Sequence, residues 1–112
     1  MSDCIFCQIV SGKIPAKKIF EDGDLVAFHD IAPKAKVHFL VVPKVHIASV
    51  AQMREEHSGL FGKMIFKGKE IAQSLGLEGW KMLFNVERSG GQVVFHVHLH
   101  VLGGGQIEIE KC

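Results

Sequence analysis

Residues 95–102 read Phe-His-Val-His-Leu-His-Val-Leu, so that His96, His98 and His100 stand at every second position of an apolar run. Because successive side chains of a β-strand point to opposite faces, a strand here would place all three imidazoles on one face. The valine and leucine residues between them would share the other face and bury against a core. Imidazole is the side chain that titrates near neutral pH, so this pattern is chemically useful and hard to explain by packing alone.

Two kinds of chemistry fit three aligned histidines. The first is a metal site, but His96 and His100 would be roughly 13 Å apart on a strand that rises about 3.3 Å per residue, so at most a pair can bind one ion. The second is nucleophilic and acid-base catalysis, in which one imidazole attacks and a neighbour carries protons. The loop at 89–92 (Ser-Gly-Gly-Gln) could present backbone N–H groups to an anion beside that strand.

Length and composition limit the class of protein. A chain of 112 residues is expected to form one domain, residues 1–112, and 47% hydrophobic with 22% charged residues is typical of a soluble globular protein. A net charge of +1 gives no electrostatic reason to bind nucleic acid or a membrane, and no apolar run approaches the roughly 20 residues of a membrane span. The first residues do not resemble a signal peptide, so we expect a cytoplasmic location with free or metal-bound cysteines.

Periodicity and turn residues predict an α+β fold with an antiparallel sheet. Apolar residues recur at a spacing near 3.6 from 54 to 75, which predicts one long helix ended by Gly76. Gly62 and Gly68 would weaken that helix by up to about 1 kcal/mol each, unless something packs closely there. The aspartates around Gly23 predict a hairpin turn. A short helix is expected at 5–11, and strands at 16–21, 25–29, 38–42, 81–86 and 93–102.

The segment from His96 to Gly104 matches the alternating signature of the histidine-triad (HIT) superfamily. From about Ile5 to Gly104 the chain resembles the Hint branch, the histidine-triad nucleotide-binding proteins. The matching segments are Ile14-Pro15-Ala16, Phe28-His29-Asp30-Ile31, His38-Phe39-Leu40-Val41-Val42-Pro43-Lys44 and Gly90-Gly91-Gln92. The resemblance implies a five-stranded antiparallel sheet with one long and one short helix. It also implies a homodimer in which the sheet continues from one subunit into the other.

The resemblance further implies a purine nucleoside phosphoramidase, which cleaves the P–N bond of AMP-like or GMP-like substrates through a covalent nucleotidyl-histidine. His98 would be the nucleophile, and His100 would contact the phosphate and protonate the leaving amine. Asp30 would accept hydrogen bonds from the ribose hydroxyls, although it also suits a turn before Ala32. The other implied contacts are Asn85, Gly91, Gln92 and Val93 at the phosphate, and Ile5, Phe6, Ile9, Phe28, His29 and Ile31 at the base and ribose.

Some features leave the substrate open. Many members of the branch carry a hydroxyl residue where this chain has Val93, and the apolar residues implied for the base pocket would equally suit a core. The tail after Gly104 lacks the family's frequent aromatic and proline residues. We expect residues 1–4 and 105–112 to be peripheral and Cys112 to be an incidental thiol.

The pair Cys4-x-x-Cys7 is by itself compatible with zinc, with redox chemistry or with chance. A redox role would favour a strand-helix-strand context that the N-terminal segment lacks, and structural zinc needs four ligands. Some members of the superfamily hold zinc with such a pair, an upstream histidine and the first histidine of the triad. The resemblance therefore implies a structural zinc site at Cys4, Cys7, His46 and His96, with no cofactor required for catalysis.

Three rival functions would use the same residues. A nucleotide-binding regulatory protein with little turnover would share the whole pocket. A zinc hydrolase would use His96 and His98 with a third ligand, and a dinucleoside polyphosphate hydrolase would attack a P–O–P bond. His38 and His57 receive no functional role from the sequence.

Overall fold

The structure is a computed structural model that describes residues 4–105. The predictions for the terminal segments at 1–3 and 106–112, including the thiol of Cys112, lie outside the described residues. No helix in the described range is both long enough and apolar enough to span a membrane.

Five antiparallel strands form one sheet. They are β1 (Lys18–Glu21), β2 (Leu25–His29), β3 (Val37–Pro43), β4 (Trp80–Leu83) and β5 (Leu99–Gly103). Their order across the sheet is β1-β2-β3-β5-β4, which places β4 at one edge. The predicted hairpin turn is confirmed, because the N–H groups of Asp24 and Leu25 both donate to Asp22 Oδ1 at 2.8 Å. The predicted α+β class and antiparallel sheet are therefore confirmed.

Two helices accompany the sheet, the short α1 (Ile5–Val10) and the long α2 (Ser58–Ser74). α2 begins later than the predicted residue 54, because Glu55–His57 forms a separate 3₁₀ turn. Gly68 is explained by close packing, since a Cβ there would lie 2.9 Å from Met82 Cε. A Cβ at Gly62 would have no described atom within 4 Å, so no contact in residues 4–105 accounts for that glycine.

The two helices cover opposite faces of the sheet. α2 packs on the face that carries Leu25, Ala27, Phe39, Val41, Leu99 and Val101. α1 packs on the face that carries Val26, Phe28, Leu40 and Val42. His100 lies on this second face, because it pairs with Leu40 across β3 and β5. Since α1 is only 6 residues long, it covers the β2 and β3 side and leaves the β5 and β4 side of the face open.

The histidine segment enters its strand later than predicted. β5 begins at Leu99 and not at residue 93, so the prediction that all three histidines lie on one strand is wrong. Residues 93–97 leave the ladder because the N–H of Val97 donates to Ile47 O at 2.7 Å and Val94 O accepts from the Gln92 side chain. The predicted strand at 81–86 likewise ends earlier, at Leu83, where the chain enters the loop that leads to the histidines.

Candidate functional site

A cleft of about 720 Å³ opens over β3, β5 and β4 on the face that α1 leaves uncovered. Six of the predicted site residues line it: Asp30, Asn85, Gly91, Val93, His98 and His100. His38, to which the sequence assigns no role, lines it as well. The cleft therefore brings together the predicted catalytic pair and most of the predicted phosphate contacts.

His98 is buried, and the backbone orients its imidazole. Nδ1 lies 2.8 Å from the carbonyl oxygen of His96, and because a carbonyl can only accept, Nδ1 carries the hydrogen. Nε2 of the neutral ring therefore keeps its lone pair. Burial lowers the pKa of His98, so the ring is neutral at pH 7. This is the form that a nucleophilic histidine requires.

A directed hydrogen-bond chain runs from Lys34 through His38 to His100. The backbone N–H of Lys34 donates to His38 Nδ1 at 3.0 Å, so the hydrogen of a neutral His38 ring is on Nε2. That Nε2 lies 3.0 Å from His100 Nδ1 and donates to it. The hydrogen of neutral His100 is consequently on its own Nε2. In residues 4–105 this is the one buried side-chain nitrogen or oxygen without a hydrogen-bond partner, so a bound group could serve as its acceptor.

Burial sets the charge of these two rings. It lowers the pKa of His100 to about 4, with further lowering by the neighbouring His98 and His38. Burial also lowers the pKa of His38, against the opposing effect of the Asp30 carboxylate. Both rings are therefore neutral at pH 7. An anionic group in the cleft would stabilise the imidazolium form of His100 and raise its pKa.

Asp30 forms the turn that the sequence allowed, and it also lines the cleft. Its Oδ1 accepts the N–H of Ala32 at 2.8 Å, which forms the turn after β2. Its Oδ2 lies 3.4 Å from His38 Nε2, and the residue lines the cleft. A carboxylate has about four lone-pair sites, so acceptor capacity remains for the hydroxyl groups of a ligand.

One buried side chain holds the loop between β4 and β5. Gln92 is 3% exposed, and its Oε1 accepts the N–H of Glu87 at 2.8 Å. Its Nε2 donates to the carbonyl oxygens of Ala48 and Val94, at 2.7 and 3.0 Å. The Gln92 side chain therefore shapes the loop and is not among the residues that line the cleft.

Most backbone donors of this loop are also satisfied within the protein. The N–H groups of Gly90 and Gln92 donate to Glu87 O, and the N–H of Gly91 donates to Arg88 O. The N–H of Val93 has no acceptor in the described part of the chain, and the residue is 88% exposed. Because Val93 also lines the cleft, its N–H is available to an anion bound there.

The residues implied for the base and ribose lie at α1 and the end of β2, beside the cleft. The three buried ones are Phe6, Ile9 and Phe28, and the three exposed ones are Ile5, His29 and Ile31. The rings of Phe6 and Phe28 pack edge to face with centroids 5.5 Å apart. Phe6 also packs against the His98 ring at 5.1 Å. The buried three are core residues, and Phe6 joins that core directly to the candidate nucleophile.

Four sulfur and nitrogen donors converge where α1 begins, and they are those of Cys4, Cys7, His46 and His96. His96 Nδ1 lies 3.3 Å from Cys4 Sγ, 3.5 Å from Cys7 Sγ and 3.2 Å from His46 Nδ1. Cys7 Sγ lies 3.4 Å from His46 Nδ1. Tetrahedral zinc, with bonds of about 2.05 Å to nitrogen and about 2.3 Å to sulfur, separates two nitrogens by about 3.3 Å and nitrogen from sulfur by about 3.5 Å. The donor set therefore fits a zinc ion.

His96 joins this cluster to the cleft. Its Nε2 donates to Pro43 O at 2.7 Å, which leaves Nδ1 without a hydrogen and able to bind a metal. Its carbonyl oxygen orients His98. A hydrolytic zinc shared by His96 and His98 does not fit this arrangement, because one ring faces the cysteines and the other is fixed by the backbone.

Comparison with known proteins identifies the family. The family model described as "Scavenger mRNA decapping enzyme C-term binding" matches residues 3–109. The chain is 49% identical over 104 residues to Protein HitA of Neisseria gonorrhoeae, covering 92% of this chain and 97% of HitA. It superimposes on the HIT family hydrolase from Legionella pneumophila Philadelphia 1 with a TM-score of 0.93 and 43% identity, covering 96% and 97% of the two chains. The chain belongs to the histidine-triad family.

A further solved HIT structure has the same fold. It is the zinc-bound histidine triad family protein from Mycobacterium smegmatis, with a TM-score of 0.80 and 35% identity over 90% of this chain and 74% of that one. The predicted HIT fold, with its five-stranded antiparallel sheet and one long helix, is thus confirmed.

The sequence assigned no role to His38, which lines the cleft, or to Glu87, whose backbone holds the loop between β4 and β5. The contact of His38 with His100 depends on the pairing of β3 with β5, in which His38 pairs with Leu102 and Leu40 pairs with His100, so that both histidines lie on one face of adjacent strands. Glu87 had no signal. It adopts φ +62° and ψ 172°, a conformation that favours glycine, and its carboxylate accepts a hydrogen bond from Ser49 Oγ.

Proposed function

We propose that this HIT protein hydrolyses purine nucleoside 5′-phosphoramidates, cleaving the P–N bond through a covalent intermediate on His98. One observation carries the proposal: a single cleft holds an imidazole with a free lone pair and an imidazole with a free N–H. His98 has the lone pair on Nε2, and His100 has the hydrogen on Nε2. Their ring centroids are 4.9 Å apart, so both rings can contact the same phosphoryl group.

The first step forms a bond between His98 and phosphorus. His98 Nε2 gives its lone pair to the phosphorus atom, and the bond from phosphorus to the leaving amine breaks. The phosphate charge raises the pKa of His100, which takes up a proton from solvent at Nδ1 as the His38 N–H turns to Asp30 Oδ2, and His100 passes its Nε2 proton to the departing nitrogen. The carbonyl of His96 accepts the Nδ1 hydrogen of His98 and stabilises positive charge on the modified ring.

Water completes the reaction. It attacks the phosphorus and gives a proton to His100, which is neutral after the first step. The bond between phosphorus and His98 breaks, and the electron pair returns to Nε2. The products are the nucleoside monophosphate and the free amine, and both histidines are ready for the next cycle.

The surrounding residues would position the nucleotide. The N–H of Val93 and the Asn85 side chain would contact phosphate oxygens, and Asp30 would accept from the ribose hydroxyls. The base would lie toward α1, where Phe6 borders His98. Because Val93 offers a backbone donor without a side-chain hydroxyl, selectivity for the leaving amine depends on other residues of the cleft.

We also propose a structural zinc ion at Cys4, Cys7, His46 and His96. The donor distances support it, and the relative from Mycobacterium smegmatis is described as zinc-bound. When bound, the metal would supply a cross-link between the start of α1 and the segment before β5. The reaction steps above need only the two histidines of the cleft.

The sheet has two edge strands, β1 and β4, and β4 supports a homodimer with a continuous sheet. In the described chain β4 pairs with β5 on one side only, and an unpaired strand edge is a template for another strand. All four residues of β4 are half-buried in the single chain. Sedimentation at twice the 12.4 kDa mass of the chain is the expected result, and sedimentation as a monomer would contradict it.

The deciding experiment uses adenosine 5′-phosphoramidate as substrate. We expect release of AMP and, in rapidly quenched samples, an AMP-sized mass increase on the peptide that contains His98. His98→Ala is expected to abolish both. His57→Ala is the matched control, because His57 lies in the 3₁₀ turn before α2, outside the cleft, and should leave both unchanged.

The alternatives give different results in the same assay. Tight AMP binding without AMP release would favour a regulatory nucleotide-binding protein. AMP release that persists in His98→Ala would contradict the covalent mechanism. Faster cleavage of diadenosine triphosphate than of the phosphoramidate would favour a dinucleoside polyphosphate hydrolase.

A further inference from the structure

The cleft continues past the two reacting histidines along the sheet. One row of cross-strand neighbours consists of Leu40, His100 and Leu83. The next row consists of His38, Leu102 and Lys81. Leu83, Leu102 and Lys81 all line the cleft, so its floor extends one row beyond His100.

Ring packing gives this extension a direction. Phe6 of α1 packs against His98 at 5.1 Å, whereas His100 packs against His38 at 5.2 Å. Starting from α1, the order is therefore Phe6, His98, His100 and then Leu102. With the base at the apolar α1 end and the ribose at Asp30, beside His38, the Leu102 and Lys81 part of the far row is left for whatever the phosphorus carries on its other side.

Two lysines lie at this end of the cleft, Lys81 in the far row and Lys34 next to it. The backbone of Lys34 bonds His38, Lys81 is the cross-strand neighbour of Leu102, and both lysines line the cleft. Neither forms an ion pair within residues 4–105, whereas four other lysines do: Lys18, Lys44, Lys63 and Lys67. The single carboxylate among the described lining residues, Asp30, offsets the charge of only one of the two lysines. The far end of the cleft therefore has an excess of positive charge.

We infer that Lys34 and Lys81 form a subsite for an anionic leaving group. The inference rests on the proposed cleavage reaction and specifies its substrate class, which is a nucleotide whose leaving group carries a carboxylate or is itself a phosphate. A base and a ribose are uncharged, so they would gain little from two cations. The apolar floor at Leu83 and Leu102 suits the carbon stem of such a group, with its charge between the two ammonium groups.

The test compares leaving groups of equal size and different charge. The substrates are the AMP phosphoramidates of β-alanine, which is anionic, and of β-alanine amide, which is neutral. In Lys34→Gln and Lys81→Gln, we expect kcat/KM for the anionic substrate to fall about fivefold per lysine, as expected for loss of a partly solvated charge contact. For the β-alanine amide substrate, kcat/KM should change less than twofold in the same variants. Lys69→Gln, on the exposed side of α2, is the matched control.

Two further measurements test whether charge carries the preference and whether the subsite accepts carboxylates, phosphates or both. Added salt should weaken the preference for the β-alanine substrate over its amide, because the two share the α-phosphoryl charge and differ only in the charge of the leaving group. With ADP as substrate, a parallel loss in the lysine variants would extend the subsite to phosphate leaving groups, and no loss would restrict it to carboxylates. An equal loss on the charged and neutral phosphoramidates would overturn the inference, because the lysines would then act on the α-phosphate.

A binding measurement keeps this inference separate from the proposed reaction. In His98→Asn, calorimetry gives the Kd of each intact phosphoramidate without turnover. Tighter binding of the anionic substrate that is lost in the double lysine variant supports the subsite even if the wild type hydrolyses neither compound. Equal affinity for both compounds overturns the subsite even if the wild type hydrolyses both.

Discussion

His38 Nε2 lies 3.0 Å from His100 Nδ1, and the backbone N–H of Lys34 fixes the direction of the hydrogen bond between them. Because an N–H can only donate, His38 Nδ1 must accept, and Nε2 of the neutral ring must donate to His100. His100 is then left with its hydrogen on Nε2. His38 is therefore a positioning residue, since it sets the tautomer of the proposed proton donor and acts through it.

Replacing His38 with phenylalanine should lower kcat much more than it raises KM. The variant keeps a ring of similar volume and removes the donor to His100, so His100 would no longer be held in one tautomer. We expect kcat to fall about tenfold or more, which is less than the 10²–10⁴-fold contribution of an acid-base residue itself. His38→Gln should recover part of the rate because its amide can donate. Equal rates in the two variants would show that this hydrogen bond does not matter.

The native state should lose stability as the pH falls from about 6.5 to about 4. Burial, with help from His98 and His38, lowers the pKa of His100 to about 4, whereas in the unfolded chain it titrates near 6.5. Between these values the unfolded chain binds a proton that the native ring excludes, so the free energy of unfolding decreases as the pH falls from 6.5 to 4. Above pH 6.5 this contribution is constant.

Urea unfolding of the wild type and of His100→Asn across this pH range isolates the effect. The groups that face His100 are His98, His38, Asp30 and Lys34, and all are retained in the variant. We expect the decline between pH 6.5 and 4 to be shallower in His100→Asn. Parallel curves for the two proteins would mean that His100 takes up its proton in the native state as readily as in the unfolded chain.

The spacing of the histidines predicted less of the site than the folded chain contains. His98 and His100 do line one cleft, whereas His96 joins the cysteine cluster. Strand periodicity extended the strand too far, because it cannot detect that the Gln92 side chain and Ile47 O satisfy the backbone of residues 93–97. Local patterns also cannot reveal which strands pair, and that pairing is what brings His38 to His100.

For the cysteine-histidine cluster and the glycine loop, too, part of the arrangement could be predicted from the sequence and the rest depends on how the chain folds. The positions of Cys4 and His96 in a zinc site came from family resemblance, since nothing local joins residues so far apart in the chain. Their convergence depends on where α1 packs. For Gln92, resemblance implied a contact with phosphate, but the structure places its side chain in the interior of the loop. A glutamine beside two glycines carries no local signal for that buried role.

Removing the metal should loosen α1 before it affects the reacting histidines. Cys4 caps α1 and Cys7 lies within it, so a zinc ion at the proposed site would tie this helix to His46 and His96. We expect one zinc per chain by elemental analysis, and a lower Tm with weaker AMP binding after chelation. Cys7→Ser should reproduce both effects. Full zinc content in Cys7→Ser would contradict the assigned ligand set, and an unchanged Tm after complete zinc removal would contradict the structural role.

Gln92→Leu should destabilise the protein and weaken nucleotide binding together. Leucine fills a similar volume but leaves Glu87 N–H and the carbonyls of Ala48 and Val94 without their partner. Buried polar groups left unpaired cost about 1–3 kcal/mol, so the free energy of unfolding should fall by at least that amount. The KM should rise because the loop that presents the Val93 N–H relaxes. The exposed Gln73→Leu is the matched control, and equal stabilities of the two variants would contradict the bracing role of Gln92.

The two interior glycines of α2 should respond to alanine in opposite ways. A Cβ at Gly62 meets no described atom within 4 Å, so Gly62→Ala should raise the free energy of unfolding by about 1 kcal/mol through helix propensity. A Cβ at Gly68 would lie 2.9 Å from Met82 Cε and 3.4 Å from Val101 Cγ2, so Gly68→Ala must displace the Met82 side chain and should gain less or lose stability. Denaturant unfolding of both variants measures the difference. A destabilised Gly62→Ala would mean that a surface outside residues 4–105, such as a second copy of the chain, packs against the helix at that point.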